Sequence, residues 1–293
     1  MDLSLVQTLV LALLQGVTEL FPISSLGHTV IIPALAGWGD LEASTSFLPL
    51  IVAFHFGTAI ALIAYFWRDW FQFGKTFVTI AQTRQLRKGS QEWVSWLVVL
   101  GTIPAGLLGL ALQNPLEKLF SAPALVAAVL VVNGSALFVG EALRRRKEAQ
   151  WKTLTAKERE AHFRPLTSLS WKEAMLVGLA QSLALIPGFS RSGMTIVAGL
   201  GVRMTHEDAA RFSFLLGTPI ILAASALKIP KLFHLPGSTL LLVILGVVLS
   251  GVAAFLSTRF LMKYFETGRL DPFAYYCWGA GLVSLVALLA LGR

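Results

Sequence analysis

Residues 15–29 read Gln-Gly-Val-Thr-Glu-Leu-Phe-Pro-Ile-Ser-Ser-Leu-Gly-His-Thr, and residues 181–195 read Gln-Ser-Leu-Ala-Leu-Ile-Pro-Gly-Phe-Ser-Arg-Ser-Gly-Met-Thr. A shift of 166 positions aligns the two stretches, and glutamine, serine, glycine and threonine then coincide. Each stretch is an apolar run broken by proline and followed by small hydroxyl residues and glycine. Broken hydrophobic segments at matching places in two halves of a membrane protein point to its binding site. We therefore predict that the two stretches form the walls of one active site.

The composition is that of an integral membrane protein. Hydrophobic residues make up 55% of the chain and charged residues only 14%, with a mean hydropathy of +0.70. A soluble domain carries about a quarter charged residues. A membrane-spanning helix needs about 20 mostly apolar residues. Six stretches meet this requirement: 46–67, 93–113, 122–143, 209–228, 238–258 and 273–291.

The remaining apolar segments, 3–35 and 173–202, do not read as single spans. Pro22 and Pro187 interrupt them, and a helix cannot pass a proline undisturbed because the ring removes a donor and clashes with the preceding turn. Irregular backbone inside a bilayer must be buried in protein or line a wet cavity. We predict two re-entrant helix-loop-helix hairpins whose tips meet within the membrane. The first 21 residues have no basic n-region and no cleavage site, so we expect them to belong to the mature protein.

The distribution of basic residues supports this layout. If both hairpins return to the side from which they start, 19 of the 24 Lys and Arg residues lie in loops 68–92, 144–172, 203–211 and 259–269. The positive-inside rule then makes these loops cytoplasmic and places both chain ends outside. The net charge of +8 follows from this topology, so we expect no nucleic-acid partner.

The predicted fold class is an all-α integral membrane protein with two inverted-topology repeats. Each half holds one hairpin and three spans, an odd number of crossings, so the halves have opposite orientations in the membrane. A second match, between residues 54–60 and 214–220, supports the repeat. The predicted units are residues 1–143 (hairpin at about 3–35), a basic cytoplasmic linker at 144–172, and residues 173–293 (hairpin at about 173–202).

Gln15 and Glu19 are four residues apart, so their side chains share one face of a helix. A carboxylate within an apolar run is costly unless it meets a partner, water or a metal, and it marks a functional site by default. Amide and carboxylate oxygens are suitable ligands for Mg²⁺ or Ca²⁺. The alternative, which does not exclude the first, is that Glu19 only pairs with Arg191 to hold the hairpins together.

Ser24, Ser25, Gly27 and His28 follow the first proline break. Ser25 and His28 are three residues apart and share one face if a helix resumes here. A hydroxyl near an imidazole forms a nucleophile-and-base arrangement, and histidine can itself attack phosphorus. The alternative is that the serines only cap a helix.

The second stretch is typical of an anion site. Its glycines allow close approach of the backbone to a ligand, and the helix that follows presents free N–H groups to a negative charge. Arg191 adds a planar set of donors for phosphate oxygens. We expect substrate contacts from Ser24, Gly27, Ser190, Ser192, Gly193 and Thr195. His55, between two phenylalanines, is predicted to be a hydrogen-bonded interior histidine rather than a catalytic one.

The motifs at 15–19, 22–28 and 187–195, with 211–216, closely resemble those of bacterial undecaprenyl pyrophosphate phosphatases, the bacitracin-resistance membrane family. The resemblance runs along the whole chain. Two positions depart from the family pattern: Gln15 stands where glutamate is frequent, and Leu26 where threonine is common.

The resemblance implies removal of the terminal phosphate of undecaprenyl diphosphate, with a divalent cation and a site open to the outer face of the bacterial cytoplasmic membrane. It implies that Glu19 binds or acts through the metal, that Ser25 and His28 attack or assist attack, and that Arg191 binds the phosphate. The expected partners are a polyprenyl diphosphate lipid and the bilayer, with a homodimer as one open oligomeric state. The alternative function is an inverted-repeat transporter or flippase for a lipid phosphate or another anion.

Overall fold

The computed structural model describes residues 3–42, 44–83, 88–113, 115, 118–150 and 162–293. All regular secondary structure within these ranges is helical. The α-helices are α1 Leu5–Thr18, α2 Ser25–Ala36, α3 Gly39–Glu42, α4 Phe47–Tyr65, α5 Trp67–Thr83, α6 Gln91–Ala111, α7 Pro123–Gln150, α8 Trp171–Gln181, α9 Arg191–Gly201, α10 His206–Lys228, α11 Gly237–Tyr264 and α12 Asp271–Ala290. Short 3₁₀ turns lie at Lys118–Ser121, Leu166–Ser168, Ser182–Leu185 and Ile229–Leu232.

Six of these helices are long and apolar enough to cross a membrane, which confirms the six predicted stretches. They are α4, α6, α7, α10 with its following 3₁₀ turn, α11 and α12. Helix α7 continues to Gln150, beyond the predicted boundary at residue 143, so the predicted linker begins as a helical extension of a span. Residues 151–161 of that linker lie outside the described part of the chain.

The segments predicted to be broken consist of pairs of short helices. Helices α1 and α2 have 14 and 12 residues, and α8 and α9 have 11 each. At 1.5 Å per residue the longest is roughly 21 Å, less than the hydrocarbon thickness of about 30 Å. Each of the four begins at a serine whose side chain accepts a hydrogen bond from the backbone of the first turn, at Ser4, Ser24, Ser170 and Ser190. Such caps satisfy donors that a helix start leaves free.

Helices of one half of the chain pack directly on helices of the other half. Helix α1 packs on α11 of the second half, and α8 packs on α6 of the first half. The pairs α7 with α12 and α4 with α10 join the halves directly. Buried apolar side chains form a large cluster that includes α7, α9, α10 and α12, and a smaller one around α1, α4 and the start of α11. The short helices therefore pack on the long ones, while α1 and α8 each keep an exposed apolar face, for example at Leu13 and Leu179.

Helix α5 lies in a region that the charge count treated as a loop at 68–92. Its apolar residues recur at helical spacing between polar ones, so the helix is amphipathic. Phe73 is buried, whereas Trp67 and Phe71 are exposed. An ion pair of 2.6 Å between Asp69 and Arg211 joins α5 to α10. A short amphipathic helix directly after a span is typical of an element that lies along the membrane surface.

Candidate active site

The two breaks in the helices lie side by side and share one buried side chain. Asn133 on α7 donates a hydrogen bond from Nδ2 to the backbone oxygen of Pro22 at 3.1 Å. Its Oδ1 accepts one from the backbone N–H of Ser190 at 2.9 Å. Ser192 Oγ also donates to the backbone oxygen of Phe21 at 3.1 Å. One amide therefore connects both breaks.

Four of the predicted substrate contacts hold the starts of α2 and α9. Ser24 Oγ accepts from the Gly27 N–H and Ser190 Oγ from the Gly193 N–H, each at 3.1 Å. Ser24 has a φ of 69°, a conformation that few residues other than glycine adopt. Strained backbone of this kind is found where the surrounding structure enforces it, often at a functional site.

Glu19 is the centre of the polar cluster and is only 6% exposed. Its Oε2 accepts from Ser25 Oγ at 2.5 Å and from Gln15 Nε2 at 3.1 Å, and its Oε1 accepts from Arg191 Nε at 3.2 Å. His55 Nε2 lies 3.1 Å from Oε2. Four side chains from α1, α2, α4 and α9 thus converge on one carboxylate.

His55 contacts Glu19 from α4. His55 Nδ1 lies 2.8 Å from the backbone oxygen of Ile51, and a carbonyl can only accept, so Nδ1 carries hydrogen. The imidazole is therefore held between the backbone of Ile51 and the Glu19 carboxylate.

Arg191 is fixed on one side and free on the other. Nε contacts Glu19, and Nη1 donates to the backbone oxygen of Ser213 at 2.9 Å. Nη2 is buried and has no hydrogen-bond partner among the described residues. Thr195 Oγ1 lies 2.8 Å from the Arg191 backbone oxygen and 2.6 Å from Ser213 Oγ, so Thr195 supports the arginine from behind.

A cavity of about 180 Å³ opens beside this cluster. Its polar surface includes Glu19, Ser25, His55, Gln181, Ser190 and Arg191. The rest of its wall is apolar and is formed by Leu26, Leu48, Val52, Ala105, Ala184, Leu185, Phe189, Ile220, Ile221 and Ala224. A polar end within an apolar wall suits a ligand with a charged head and a hydrocarbon tail.

His28 does not line this cavity. Its Nδ1 lies 2.7 Å from the backbone oxygen of Ser24, and its Nε2 lies 2.8 Å from the hydroxyl of Tyr276 on α12. The structure therefore brings Glu19, Ser25 and Arg191 together and directs His28 toward Tyr276. His28 also contacts the strained turn at Ser24, through the backbone oxygen of that residue.

Comparison with known proteins places the chain in a family. Residues 8–283 match the family described as bacitracin resistance protein BacA. The chain belongs to the BacA family. It is 48% identical over 299 residues to a protein of Mycolicibacterium paratuberculosis named undecaprenyl-diphosphatase, with 98% of each chain covered. An undecaprenyl-diphosphatase 2 of Burkholderia thailandensis is 48% identical over 94% of each chain, and one of Frankia alni is 40% identical over 97% of this chain and 98% of its own.

Sequence reasoning missed several residues of this BacA-family site. His55 was interpreted as an interior histidine, and it does have hydrogen-bond partners, but one of them is Glu19. Asn133 and Tyr276 carried no local signal, because they reach the site from distant helices. For Gln181 the sequence gives no signal beyond its alignment with Gln15.

A divalent cation fits the residues present in part. Gln15 Oε1 is buried beside the Glu19 carboxylate and has no partner in the described part of the chain, which leaves an oxygen ligand available. The described ranges contain no group of three or more His, Cys, Asp or Glu residues that could hold a metal. Mg²⁺ is commonly bound by one or two carboxylates together with substrate phosphates. A cation here would thus depend on the phosphates of a ligand.

Proposed function

We propose that this chain hydrolyses undecaprenyl diphosphate to undecaprenyl phosphate and inorganic phosphate, which recycles the lipid carrier of cell-wall synthesis. The observation that carries the proposal is the 2.5 Å hydrogen bond from Ser25 to Glu19 beside a guanidinium with a free donor. Hydroxyl, base and phosphate-binding group are the parts that phosphoryl transfer needs. Membership of the BacA family and the names of the relatives support the same activity.

In the proposed first step, Ser25 Oγ attacks the terminal phosphorus and Glu19 accepts its proton. The bond between that phosphorus and the bridging oxygen breaks, and undecaprenyl phosphate leaves. In the second step, water attacks the phosphorus of the phosphoserine and the bond from phosphorus to Ser25 Oγ breaks. Glu19 returns its proton to Oγ, and the hydrogens of the water leave with inorganic phosphate. Arg191 stabilises the charge on the transferred group, and a positioned donor of this kind contributes about 3–4 kcal/mol.

His28 has a supporting role in this proposal. Hydrogen bonds to Ser24 and Tyr276 occupy both of its ring nitrogens, so neither is directed at a ligand in the cavity. By holding the Ser24 turn, His28 fixes the position at which Ser25 starts α2. Ser25 is therefore the better candidate for the nucleophile.

The proposal includes a divalent cation, Mg²⁺ or Ca²⁺, held by Gln15 and Glu19 together with the substrate. When bound, such an ion neutralises charge on the phosphate oxygens. The proposal also includes two re-entrant hairpins in inverted repeats and a site that opens to the outer face of the bacterial cytoplasmic membrane. The short helices and the reciprocal packing of α1 on α11 and α8 on α6 support this topology.

The test is phosphate release by the purified protein in detergent, with undecaprenyl diphosphate as substrate and acid quenching to trap a phosphoenzyme. We expect phosphate release, loss of activity with a chelator, and phosphoserine at Ser25. Ser25→Ala should lower kcat by at least about 10³-fold and give no phosphoserine, as for removal of a nucleophile that acts with its base. Turnover without a Ser25 adduct would replace the two-step route by direct attack of water. No turnover, combined with movement of a lipid phosphate across vesicles, would favour the transporter.

A further inference from the structure

Gln181, the last residue of α8, lies in the wall of the cavity with an amide that has no hydrogen-bond partner. The residue is only 2% exposed, and neither Nε2 nor Oε1 forms a hydrogen bond within the described part of the chain. Buried side-chain amides are nearly always paired, because an unpaired one loses its hydrogen bonds to water without replacement. A buried, unpaired amide on a residue that lines a cavity is therefore suited to a ligand that enters the cavity.

The matching residue of the first stretch shows what Gln181 lacks. Gln15 Nε2 donates to Glu19, four residues later on the same helix face. Four residues after Gln181 the chain has Leu185, which cannot accept a hydrogen bond. Of the two matching glutamines, Gln15 therefore orients a carboxylate, whereas the Gln181 amide has no such partner in the described residues.

The unpaired donors around the cavity define the chemistry of the ligand. Arg191 Nη2 and Gln181 Nε2 are both buried donors without partners in the described ranges, and both residues line the same cavity. The neighbouring wall is apolar, at Ala184 and Leu185. A group with several acceptor oxygens and a negative charge, such as a phosphate, can take both donors.

We propose that Gln181 is a substrate-binding residue whose Nε2 donates to a phosphate oxygen of the diphosphate headgroup, beside Arg191. The proposal rests on the proposed function and adds a contact to it. Water takes Oε1. The amide contributes to binding of the headgroup in the ground state, so its loss affects KM more than kcat.

The test compares Gln181→Met with the wild-type protein, because methionine has a similar length and shape and no polar end. We expect KM for undecaprenyl diphosphate to rise about 10- to 100-fold, the range for a lost hydrogen bond to a charged group. We also expect weaker competition by inorganic pyrophosphate. The melting temperature should stay the same or rise, because an unpaired buried amide is replaced by an apolar group. A merely structural glutamine would lower the melting temperature instead.

Two further variants complete the test. Gln181→Glu replaces the donor by a negative charge and should weaken pyrophosphate competition more than methionine does. Ser182→Ala, at the next position, removes a hydroxyl that bonds the backbone of Gly178 and should leave KM unchanged.

Wild-type KM and unchanged pyrophosphate competition in Gln181→Met would overturn the contact, and so would tighter pyrophosphate binding in Gln181→Glu. If the wild-type protein releases phosphate, such results refute only the role of Gln181. If the wild-type protein releases none, the proposed function fails.

Discussion

Gly217 on α10 offers a test of the site that removes no polar group. A Cβ at this position would overlap the Arg191 guanidinium, with Nη1, Cζ and Nη2 as its three nearest atoms. Normal contact requires about 1 Å of displacement, and an error of this size in a catalytic group costs about 10²-fold in rate. Arg191 cannot move by this distance without losing its bonds to Glu19 and the backbone of Ser213. We expect Gly217→Ala to lower kcat/KM by about 10²-fold and to cost about 1–3 kcal/mol of stability through overpacking.

The assay is phosphate release from undecaprenyl diphosphate, with thermal unfolding measured on the same preparation. Gly106→Ala is the matched control, since a Cβ there meets only Ile220 Cδ1, at 3.8 Å, in a similar helix. It should keep full activity. Because Gly217 acts through Arg191, the alanine at 217 should have little further effect in an Arg191→Ala background. Wild-type kcat/KM in Gly217→Ala, or additive losses in the double variant, would refute the placement of the guanidinium.

Two other predictions concern residues that contact the site from distant helices. Tyr276→Phe removes the hydroxyl that binds His28 and should lower kcat about 5-fold with little change in KM; Tyr275→Phe, whose ring contacts Phe138 and Trp278, is the control and should behave as wild type. An equal loss in both variants would contradict the role of Tyr276. Asn133→Leu leaves buried backbone groups of both breaks unpaired and should lower stability by about 3 kcal/mol together with activity; an unchanged melting temperature would show that Asn133 does not join the breaks.

Local sequence signals predicted the spans and part of the site. Six apolar stretches of sufficient length gave six long helices, since length and hydropathy alone decide whether a segment can cross a bilayer. Glu19, Ser25 and Arg191 stood out because a charge or a proline break inside an apolar run has few explanations. Helix α7 continues past the predicted end of its span at residue 143, because a helix can extend into water with charged residues on its surface.

The missing parts depend on contacts between elements that are far apart in the chain. His55 reaches Glu19 across 36 positions, and Tyr276 reaches His28 across 248. Hydrophobic periodicity along the sequence carries no information on contacts between residues that are so far apart in the chain. Helix α5 was treated as a loop because the count of basic residues used only its charges and ignored its apolar face. The interior position of Thr195 was equally hidden, because a hydroxyl that supports an arginine and one that binds a ligand look alike in a motif.

The position of Asn133 also affects the order in which the site is assembled during synthesis. When the ribosome has completed the first half, Asn133 Nδ2 can already donate to the backbone oxygen of Pro22. Its Oδ1 can accept the hydrogen bond from Ser190 only after the second half has been made. The reactive centre therefore does not exist until the second half has been inserted. If the two halves were produced as separate polypeptides, each would be inert by itself, and joint expression in one membrane would be needed to restore turnover.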